Sequence, residues 1–365
     1  MGNYVYNLIA ALSQLPHSHE FTLYVDDPKA AQYVPQDPRF TLRVLPPKAY
    51  PVWEHVSFPL AAARDRVHVL HCPANTGPFL LPAQTRLVLT IHDVMYLLPK
   101  GTLPASPSNY QRLGALYRRL VVPAAARRAA AIVVVSKHSR SDVLRLLKPP
   151  SEKVAVVGEA PGNACRVLED RIDVDAVRAK YGLNHPYLLC FGGIDPRKNT
   201  ARVLEGYCLF RKRASCEHRL VLVGLPSSAE RRYVREADDL GVARQVVFTG
   251  FVSEEELVAL YNGAEALVYP SLYEGFGLPV LEAMACGTPV ITSARGSLPE
   301  AAGDAAIMVD PLNVEDIAAA MLRIAQDEML RRQLIARGFT QASKFSWRNT
   351  AEQMLAVYEK AASKL

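Results

Sequence analysis

The chain has 365 residues and a formal net charge of +6; half of its residues are hydrophobic and 21% are charged. This composition excludes disordered, collagen-like and coiled-coil chains. The length suits two α/β domains better than one compact core.

Short apolar segments alternate with amphipathic ones along most of the chain. In the first half the predicted strands are 21–25, 40–44, 67–71, 87–91, 132–135 and 154–157, with a predicted helix at 110–130. In the second half the predicted strands are 187–191, 220–223, 246–249, 266–269 and 290–292, and the predicted helices are 200–213, 229–240, 254–262 and 280–286. Such alternation indicates parallel sheets covered by helices on both faces, and hence two doubly wound α/β domains. The boundary is predicted within 161–186.

Charge is divided unevenly between the two halves. Residues 1–180 contain 22 Lys and Arg against 14 Asp and Glu, whereas residues 181–365 contain 20 against 22. A basic N-terminal half indicates an anionic partner on that domain, such as lipid headgroups or a phosphate-linked acceptor. No nucleic acid is expected as a partner, because the sequence carries no motif of that class.

Cysteine spacing and hydropathy indicate the cellular compartment. The six cysteines form no CxxC pair, so we interpret them as reduced, buried thiols of a cytoplasmic protein: Cys72, Cys165, Cys190, Cys208, Cys216 and Cys286. No apolar run approaches the length of a membrane span, and the N-terminus lacks the features of a signal peptide.

A glycine pair and two cations directly follow the predicted strand 187–191, in the run FGGIDPRKN (191–199). Ligands of parallel α/β sheets bind at the carboxyl ends of the strands. Glycine permits close approach of the backbone to a ligand, and Arg197 and Lys198 can neutralise a diphosphate. A basic surface turn is the alternative interpretation. The run is neither a Walker loop nor GxGxxG, so NTPase and dehydrogenase chemistry are not indicated.

Two carboxylates stand eight residues apart in SLYEGFGLPVLEAMACGTPV (271–290), after the predicted strand 266–269. Pro279 suits the first turn of a helix, so the glycine loop before it offers backbone N–H groups to anions and sugar hydroxyls. Glu274 lies in that loop and Glu282 lies about one turn into the helix. The helix dipole accounts for an acid at Glu282, but not for one beside two glycines.

This run resembles the E-x7-E signature of family-4 retaining glycosyltransferases, with Glu274 and Glu282 at the two glutamate positions. Five further stretches are similar to that family in the same order: IHDV (91–94), VVVSKHSRSDV (133–143), FGGIDPRKN (191–199), VVFTGFVSEEEL (246–257) and GSLPEAAGDAAIMVDP (296–311). The run VGEAPG (157–162) is similar to the mannosyltransferase-type branch. The resemblance covers most of the chain and implies the GT-B fold, in which two Rossmann-like domains face each other across a cleft.

The resemblance implies a donor site in the C-terminal domain. Arg197 and Lys198, with Gly193 beside them, are expected to bind the donor diphosphate, and Glu282 to accept hydrogen bonds from the ribose. Glu274 is expected to be catalytic and to hold the transferred sugar. The backbone expected to assist it belongs to Gly275, Phe276, Gly277 and Leu278.

The implied reaction moves a sugar, best matched by mannose from GDP-mannose, to a glycan or lipid-linked glycan with retention of configuration. Rhamnose and glucose donors are the alternatives. His92 is expected to be the second catalytic residue, lying under the anomeric carbon, although a core or helix-capping histidine is the other interpretation. Fixed cations stabilise a departing nucleoside diphosphate without a metal, so neither a metal nor a cofactor is expected. No covalent nucleophile is evident, which favours front-face displacement within an ion pair.

The N-terminal domain is expected to bind the acceptor. Gly2 and Asn3 match the end of the family's glycine-rich loop. His71 and Asn75 follow a predicted strand, where they contact the acceptor or brace the loop.

A basic amphipathic helix is predicted in the same domain. It either rests on an anionic membrane at the inner face, as in a peripheral protein, or packs its apolar face into the core. Its apolar and basic residues are Tyr110, Leu113, Leu116, Tyr117, Leu120, Arg112, Arg118, Arg119, Arg127 and Arg128.

The expected organisation is an acceptor-binding domain at 1–165, a nucleotide-sugar-binding domain at 166–345, and a helix at 346–365 that crosses back to the first domain. The family begins with a strand and a glycine-rich loop, whereas this sequence opens at Met1 as though that strand were missing. The expected N-terminal sheet then lacks a central strand. A misassigned start, another segment in its place and an impaired protein are the three interpretations.

Two other functions are compatible with this pattern. One is a nucleotide-sugar epimerase on the same fold, against which the basic N-terminal half and the E-x7-E loop argue. The other is a truncated, catalytically weak protein that binds the donor without completing transfer.

Overall fold

The computed structural model describes residues 2–46, 49–99, 101–104, 108–214 and 217–363. The chain divides into two compact units, the first built from 1–98, 112–160 and 345–365 and the second from 99–111 and 161–344. Met1, Cys216 and the last two residues of the predicted closing segment lie outside the described residues.

Helices occur throughout both units. They are α1 (Gly2–Ser13), α2 (Tyr50–Val52), α3 (Phe58–Arg64), α4 (Asn109–Arg128), α5 (Lys137–Leu147), α6 (Ile172–Lys180), α7 (Thr200–Arg213), α8 (Ser227–Asp239), α9 (Glu254–Gly263), α10 (Leu278–Ala285), α11 (Leu298–Ala302), α12 (Val314–Gln326), α13 (Glu328–Ala342) and α14 (Trp347–Ala362). A π-helix at Trp53–Ser57 joins α2 to α3. Short 3₁₀ turns lie at Pro28–Tyr33, Met95–Leu97, Ser151–Lys153, Pro196–Lys198 and Ala243–Gln245.

The strands of the first unit form two parallel sheets. One sheet pairs β1 (Phe21–Val25) with β2 (Phe40–Val44), and the other has the order β3 (Val69–Cys72), β4 (Arg86–Ile91), β5 (Ala131–Val134), β6 (Val154–Val156). Among the described residues no strand pairs with both β1 and β3. The third strand begins two residues later than predicted, because the N–H of Val67 bonds to the carbonyl of Ala62 at the end of α3.

Helices cover both faces of the four-stranded sheet, as the sequence predicts. On one face α1 and α14 enclose a cluster that contains Tyr4, Leu8, Trp347 and Met354. On the other face α3, α4 and α5 enclose a second cluster. The hydroxyl of Thr350 in α14 donates to the carbonyl of Gly158 at 2.7 Å, which fixes the closing helix to the loop after β6.

The second unit contains one parallel six-stranded sheet. Its order is β12 (Ala306–Val309), β11 (Val290–Ser293), β10 (Ala266–Tyr269), β7 (Tyr187–Phe191), β8 (Arg219–Val223), β9 (Val246–Gly250). Helices α7, α8 and α12 pack on one face, and α9 and α10 pack on the other. The sequence does not predict β12, a short edge strand of which three residues are only half-buried.

The predicted parallel, doubly wound α/β organisation is therefore confirmed in each unit. Within the described part of the chain, no helix combines the length and the apolar character needed to cross a membrane.

Candidate active site

Two loops leave the carboxyl ends of neighbouring strands in the second unit. Gly192–Asn199 follows β7, and Pro270–Gly277 follows β10. These strands pair directly in the sheet, so the two loops lie side by side where ligands of parallel sheets bind.

The first loop has its shape because two polar residues bracket its 3₁₀ turn. The Asp195 carboxylate accepts a hydrogen bond from the N–H of Arg197 at 3.0 Å, which starts the turn. Asn199 ends it with φ at 62°, in the left-handed region that asparagine tolerates. Its buried side-chain amide donates to the carbonyls of Pro270 at 3.0 Å and Pro311 at 2.6 Å. Asn199 thereby ties together the loops that follow β7, β10 and β12.

Glu274 lies at the centre of this arrangement. Its Oε1 accepts hydrogen bonds from Lys198 Nζ at 2.9 Å, from the Tyr269 hydroxyl at 2.7 Å and from the Ser271 hydroxyl at 2.6 Å. Burial alone would raise the pKa of Glu274, but Lys198, Ser271 and Arg197 outweigh burial and lower that pKa. Glu274 is therefore ionised at neutral pH, and it joins the two loops as an anion.

Arg197 is held by the carboxylate at the start of its own turn. Its Nε and Nη2 atoms donate to Asp195 Oδ2 at 3.0 and 2.8 Å. Burial would raise the pKa of Asp195, but Arg197 lowers it, so this pair is charged. The Arg197 carbonyl accepts from the N–H of Leu272 at 2.8 Å, a second direct link between the loops. The two predicted diphosphate cations thus each bond to a carboxylate.

The predicted sugar-binding backbone leads into α10. Gly277, with φ at 117°, is the N-cap of this helix, and Pro279 lies in its first turn, as the sequence predicts. The hydroxyl of Ser297 can donate to the carbonyls of Glu274 at 2.9 Å and Phe276 at 2.7 Å. Gly275 and Leu278 are half-buried beside them. Position 193 favours glycine because a Cβ there would lie 2.8 Å from Lys198 Cγ.

Replacing Gly277 by alanine is expected to lower the free energy of unfolding by about 1–3 kcal/mol. Its φ of +117° disfavours any side chain, and a Cβ would lie 3.0 Å from Leu298 Cδ2 and 3.3 Å from Ala301 Cβ. Urea denaturation measures the change. Gly2→Ala is the matched control, because a Cβ at Gly2 meets nothing within 4 Å. Equal stability of the two variants would contradict the prediction.

Glu282 lies in the second turn of α10, half-buried. Its Oε2 accepts a hydrogen bond from the Tyr261 hydroxyl at 3.0 Å. Burial and the charge of Glu282 raise the pKa of Tyr261, so this tyrosine keeps its proton and acts as a donor. Tyr261 therefore fixes the position of the Glu282 carboxylate, which is the group predicted to bind ribose.

His92 follows β4 in the first unit and is bonded at both ring nitrogens. Its Nδ1 lies 2.8 Å from Glu159 Oε1 and its Nε2 lies 2.8 Å from the Pro73 carbonyl. Both partners are acceptors, so both nitrogens carry protons and the ring is positively charged. Burial opposes that charge, but Glu159 and Pro73 outweigh it and raise the pKa of His92. The ring of Tyr4 packs edge-on against His92 at 5.0 Å between centroids.

The residues predicted to contact the acceptor lie apart in the first unit. Gly2 and Asn3 are exposed in the first turn of α1. His71 bonds through Nε2 to the Thr90 hydroxyl at 2.7 Å and through Nδ1 to the Tyr358 hydroxyl at 2.8 Å. Asn75 is buried, and its Oδ1 accepts from the N–H of His92 at 2.7 Å. Asn75 therefore braces the loop that holds His92, and both ring nitrogens of His71 bond to protein.

The protein is expected to lose stability as the pH falls below about 6.5, the pKa of an unfolded histidine. Burial, together with the charge of His92, lowers the pKa of folded His71 to about 3. Between these two values the unfolded chain binds more protons than the folded chain, so acid favours unfolding. His71→Gln should flatten this part of the pH–stability curve measured by urea denaturation, whereas the exposed-site control His19→Gln should not. An unchanged slope in His71→Gln would contradict this.

Among the described residues, no group of three or more His, Cys, Asp or Glu side chains could hold a metal ion. Asp173 and Asp175, which form a D-x-D spacing, lie in the first turn of α6. At that position the dipole of α6 stabilises both carboxylates.

Sequence comparison identifies the family. Residues 1–159 match the family model described as Glycosyltransferase Family 4, and residues 173–341 match the one described as Glycosyl transferases group 1. The O-antigen chain mannosyltransferase B of Escherichia coli is 34% identical over 289 residues, which are 78% of this chain and 73% of that protein. The chain belongs to glycosyltransferase family 4. This family-4 glycosyltransferase also matches an E. coli serotype-specific mannosyltransferase, WbdA, with 34% identity over 78% of its own length but only 34% of that protein's.

Solved structures show that this glycosyltransferase has the GT-B fold. Sucrose-phosphate synthase from Thermosynechococcus elongatus superposes with a TM-score of 0.73 at 22% identity, covering 99% of this chain and 93% of the other. The Anabaena protein HepE, solved with UDP-glucose, superposes with a TM-score of 0.74 at 16% identity, covering 100% and 96%. The prediction of a GT-B glycosyltransferase is confirmed.

Sequence reasoning missed several residues that shape these sites. Glu159 lies in the VGEAPG run, but nothing local links it to His92, which is 67 positions away. Tyr269 is the last residue of β10 and Ser271 follows two positions later. Their place at the carboxyl end of a strand was the signal that could have marked them as site residues. Asn199 completes the FGGIDPRKN run, and the tolerance of asparagine for left-handed backbone was the available signal that it ends the 3₁₀ turn.

Proposed function

We propose that this glycosyltransferase moves mannose from GDP-mannose to a glycan or lipid-linked glycan, with retention of configuration and without a metal ion. The observation that carries the proposal is the Lys198–Glu274 bond, which joins the loops after β7 and β10 around an ionised carboxylate. A fixed cation and a fixed anion at this edge suit a diphosphate and a polyhydroxylated ring, respectively. The relatives named as mannosyltransferases support the choice of sugar.

In this proposal the bond between the anomeric carbon and the diphosphate oxygen breaks first, and its electron pair leaves with the nucleoside diphosphate. Lys198 and Arg197 stabilise the charge that develops there. The acceptor oxygen bonds to the same face of the anomeric carbon, and its proton passes to the departing phosphate oxygen. Glu274 holds the sugar hydroxyls, and Glu282, positioned by Tyr261, accepts hydrogen bonds from the ribose.

A panel of nucleotide sugars tests the donor assignment. With GDP-mannose at about 100 times its Kd, we expect a rise in Tm of several degrees, since that excess is worth about 2.7 kcal/mol. Glu282→Ala should lose the rise, whereas Glu205→Ala, an exposed acid on α7, should keep it. A rise in Tm with UDP-glucose alone would identify UDP-glucose as the donor in place of GDP-mannose. No rise with any nucleotide sugar would contradict the proposal.

Product analysis with EDTA present tests the chemistry. Mannose in a new α-linkage, formed at the same rate with and without EDTA, is expected. An inverted linkage, a dependence on added Mg²⁺ or an epimerised donor would each contradict one part of the proposal.

We further propose that the first unit rests on an anionic membrane surface through α4. The two halves of this helix differ. Residues 121–126 include the buried Val121, Val122, Ala125 and Ala126, whereas Leu113, Leu116 and Leu120 are 67%, 56% and 68% exposed. The predicted alternative, in which the apolar face packs into the core, does not hold for these leucines. Arg112, Arg119 and Arg127 are exposed on the same helix, so apolar side chains and cations are presented together, which suits anionic lipid.

Vesicle co-sedimentation tests this second proposal. Binding is expected to vesicles that contain 30% phosphatidylglycerol in phosphatidylcholine, and to weaken as salt is raised. Replacing the three leucines by serine should abolish binding. The matched control replaces three exposed apolar residues of the second unit by serine: Val234, Leu312 and Met329. Equal binding of both triple variants, or no binding by the parent protein, would contradict it.

A further inference from the structure

A cluster of aromatic and polar side chains joins two segments of the first unit that the donor chemistry does not use. One segment is 50–57, after β2, and the other is 73–79, after β3. The Tyr50 hydroxyl lies 2.9 Å from the Thr76 hydroxyl. The rings of His55 and Phe79 stack with centroids 4.1 Å apart and planes 7° apart.

A buried carboxylate organises this cluster. Glu54 is 3% exposed, and its oxygens accept from the Tyr50 hydroxyl at 3.2 Å and from the Tyr117 hydroxyl at 2.5 Å. His55 Nε2 lies 3.0 Å from the Tyr117 hydroxyl. Burial, the largest cause, raises the pKa of Tyr50 to about 12 and the pKa of Tyr117 further still, so both hydroxyls remain donors. Glu54 Oε2 also lies 3.6 Å from His55 Nε2. Burying an acid among two tyrosine hydroxyls and one imidazole costs stability, which points to a role other than structure.

Two aromatic residues of the cluster are partly exposed at the surface. Tyr50 is 50% exposed and Phe79 is 39% exposed. Trp53 Nε1 and His55 Nδ1 are buried and have no hydrogen-bond partner among the described residues. All of segment 53–57 is π-helical, a geometry that is frequent at functional sites.

Aromatic faces at the surface, backed by hydroxyl, carboxylate and imidazole groups, suit a sugar ring. Its C–H face packs on aromatic carbon, and its hydroxyls both donate and accept hydrogen bonds. The segment 73–79 also supplies the Pro73 carbonyl and the Asn75 side chain that hold His92. A ligand bound on Phe79 would therefore contact the same segment that positions His92.

We propose that Tyr50, His55 and Phe79 form a subsite for a pyranose ring of the acceptor, with Glu54 as the residue that positions Tyr50. This proposal rests on the proposed glycosyltransferase function. It places acceptor recognition on these aromatics rather than on His71, whose two ring nitrogens bond to protein, and Asn75, whose Oδ1 accepts from the N–H of His92.

Tryptophan fluorescence gives a direct test, because the chain has two tryptophans, Trp53 and Trp347. Titration with methyl α-D-mannopyranoside, an α-linked mannobiose and N-acetylglucosamine is expected to change the emission with at least one of them. Trp53→Phe should remove that signal. Tyr50→Ala and Phe79→Ala should each raise the apparent Kd about tenfold. Leu80→Ala, an exposed neighbour of Phe79, is the matched control and should leave the Kd unchanged.

The outcomes separate this proposal from the function it rests on. No saccharide-dependent change in the parent protein, or an unchanged Kd in both Tyr50→Ala and Phe79→Ala, overturns the subsite. Tyr50→Phe keeps the ring and removes only the hydroxyl, so it reports on Tyr50 even where the alanine variant is unstable. Donor-dependent stabilisation is measured on the same variants. Donor binding without saccharide binding rejects the subsite alone, and saccharide binding without any donor binding rejects the proposed function alone.

Discussion

Replacing Lys198 by alanine is expected to lower kcat for sugar transfer by about 10²–10³-fold. Lys198 is the cation that bonds to Glu274 at 2.9 Å, and it lies in the loop where a departing diphosphate would accumulate charge. Its loss removes that stabilisation and leaves the Glu274 carboxylate bonded to the hydroxyls of Tyr269 and Ser271. Steady-state kinetics with the donor that stabilises the parent protein measures the effect.

The same variant has a distinct pH dependence. In the parent protein the pKa of Glu274 is lowered below its usual 4.5. The contribution of this ionised group to stability is present above that value and is lost as the pH falls through the lowered one. In Lys198→Ala the pKa of Glu274 rises because burial is less opposed. The folded and unfolded values then differ less, so the loss of stability on acidification that Glu274 contributes should become smaller. Lys212→Ala removes an exposed lysine of α7 and serves as control. A kcat within threefold of the parent value would contradict the assigned role.

We propose that the positive charge of His92 assists the reaction, so replacing Glu159 by glutamine is expected to lower kcat by up to about 10²-fold, more above pH 6.5 than below it. Glu159 raises the pKa of His92 by accepting a hydrogen bond from Nδ1 at 2.8 Å. Without that negative charge the pKa of His92 falls, so the ring loses its positive charge at a lower pH. The alkaline limb of the kcat/KM profile should therefore move to lower pH in Glu159→Gln.

The free energy of unfolding should also depend on pH through the raised pKa of His92. A group whose pKa is raised on folding contributes stability below its unfolded pKa of about 6.5, and the contribution is lost as the pH rises through the raised value. Glu159→Gln should remove this loss from urea denaturation curves between pH 6 and 9. Glu152→Gln, an exposed acid of the same unit, should change neither measurement. An unshifted alkaline limb in Glu159→Gln would show that the charge of His92 does not serve the reaction.

Local sequence patterns predict most of the secondary structure, because a buried strand is a short continuous apolar run whereas an amphipathic helix repeats its apolar residues every three to four positions. Ser136 illustrates such local rules: serine is a preferred helix N-cap, and the side chain of Ser136 accepts from the N–H of Ser139 at 3.0 Å at the start of α5. Strand ends differ where the preceding helix competes for a backbone group, as at Val67, whose N–H bonds to the last turn of α3. The division of the first unit into two sheets is set by pairing between distant segments, which local periodicity does not encode.

The candidate site is predictable as a pair of loops but not as a set of bonds. Glycines, cations and acids after β7 and β10 mark where a ligand would bind, because the carboxyl ends of parallel strands meet there. The bond from Lys198 to Glu274 spans 76 positions, and the one from His92 to Glu159 spans 67. Pairs at such separations depend on strand order and loop path, so the sequence indicates the participants without indicating their partners.

The two-stranded sheet of β1 and β2 has a consequence for local unfolding. Each residue of β1 is only half-buried, whereas every residue of β5 is buried. Amide hydrogens of β1 and β2 should therefore exchange with solvent through small openings, and those of β4 and β5 only through global unfolding. The segment 50–57 is the next helical segment along the chain after β2, which belongs to the less protected sheet. In the proposed acceptor subsite, Tyr50 and His55 would consequently adjust to different saccharides. The loops of the proposed donor site, tied by Asn199 to three strands, would keep one geometry.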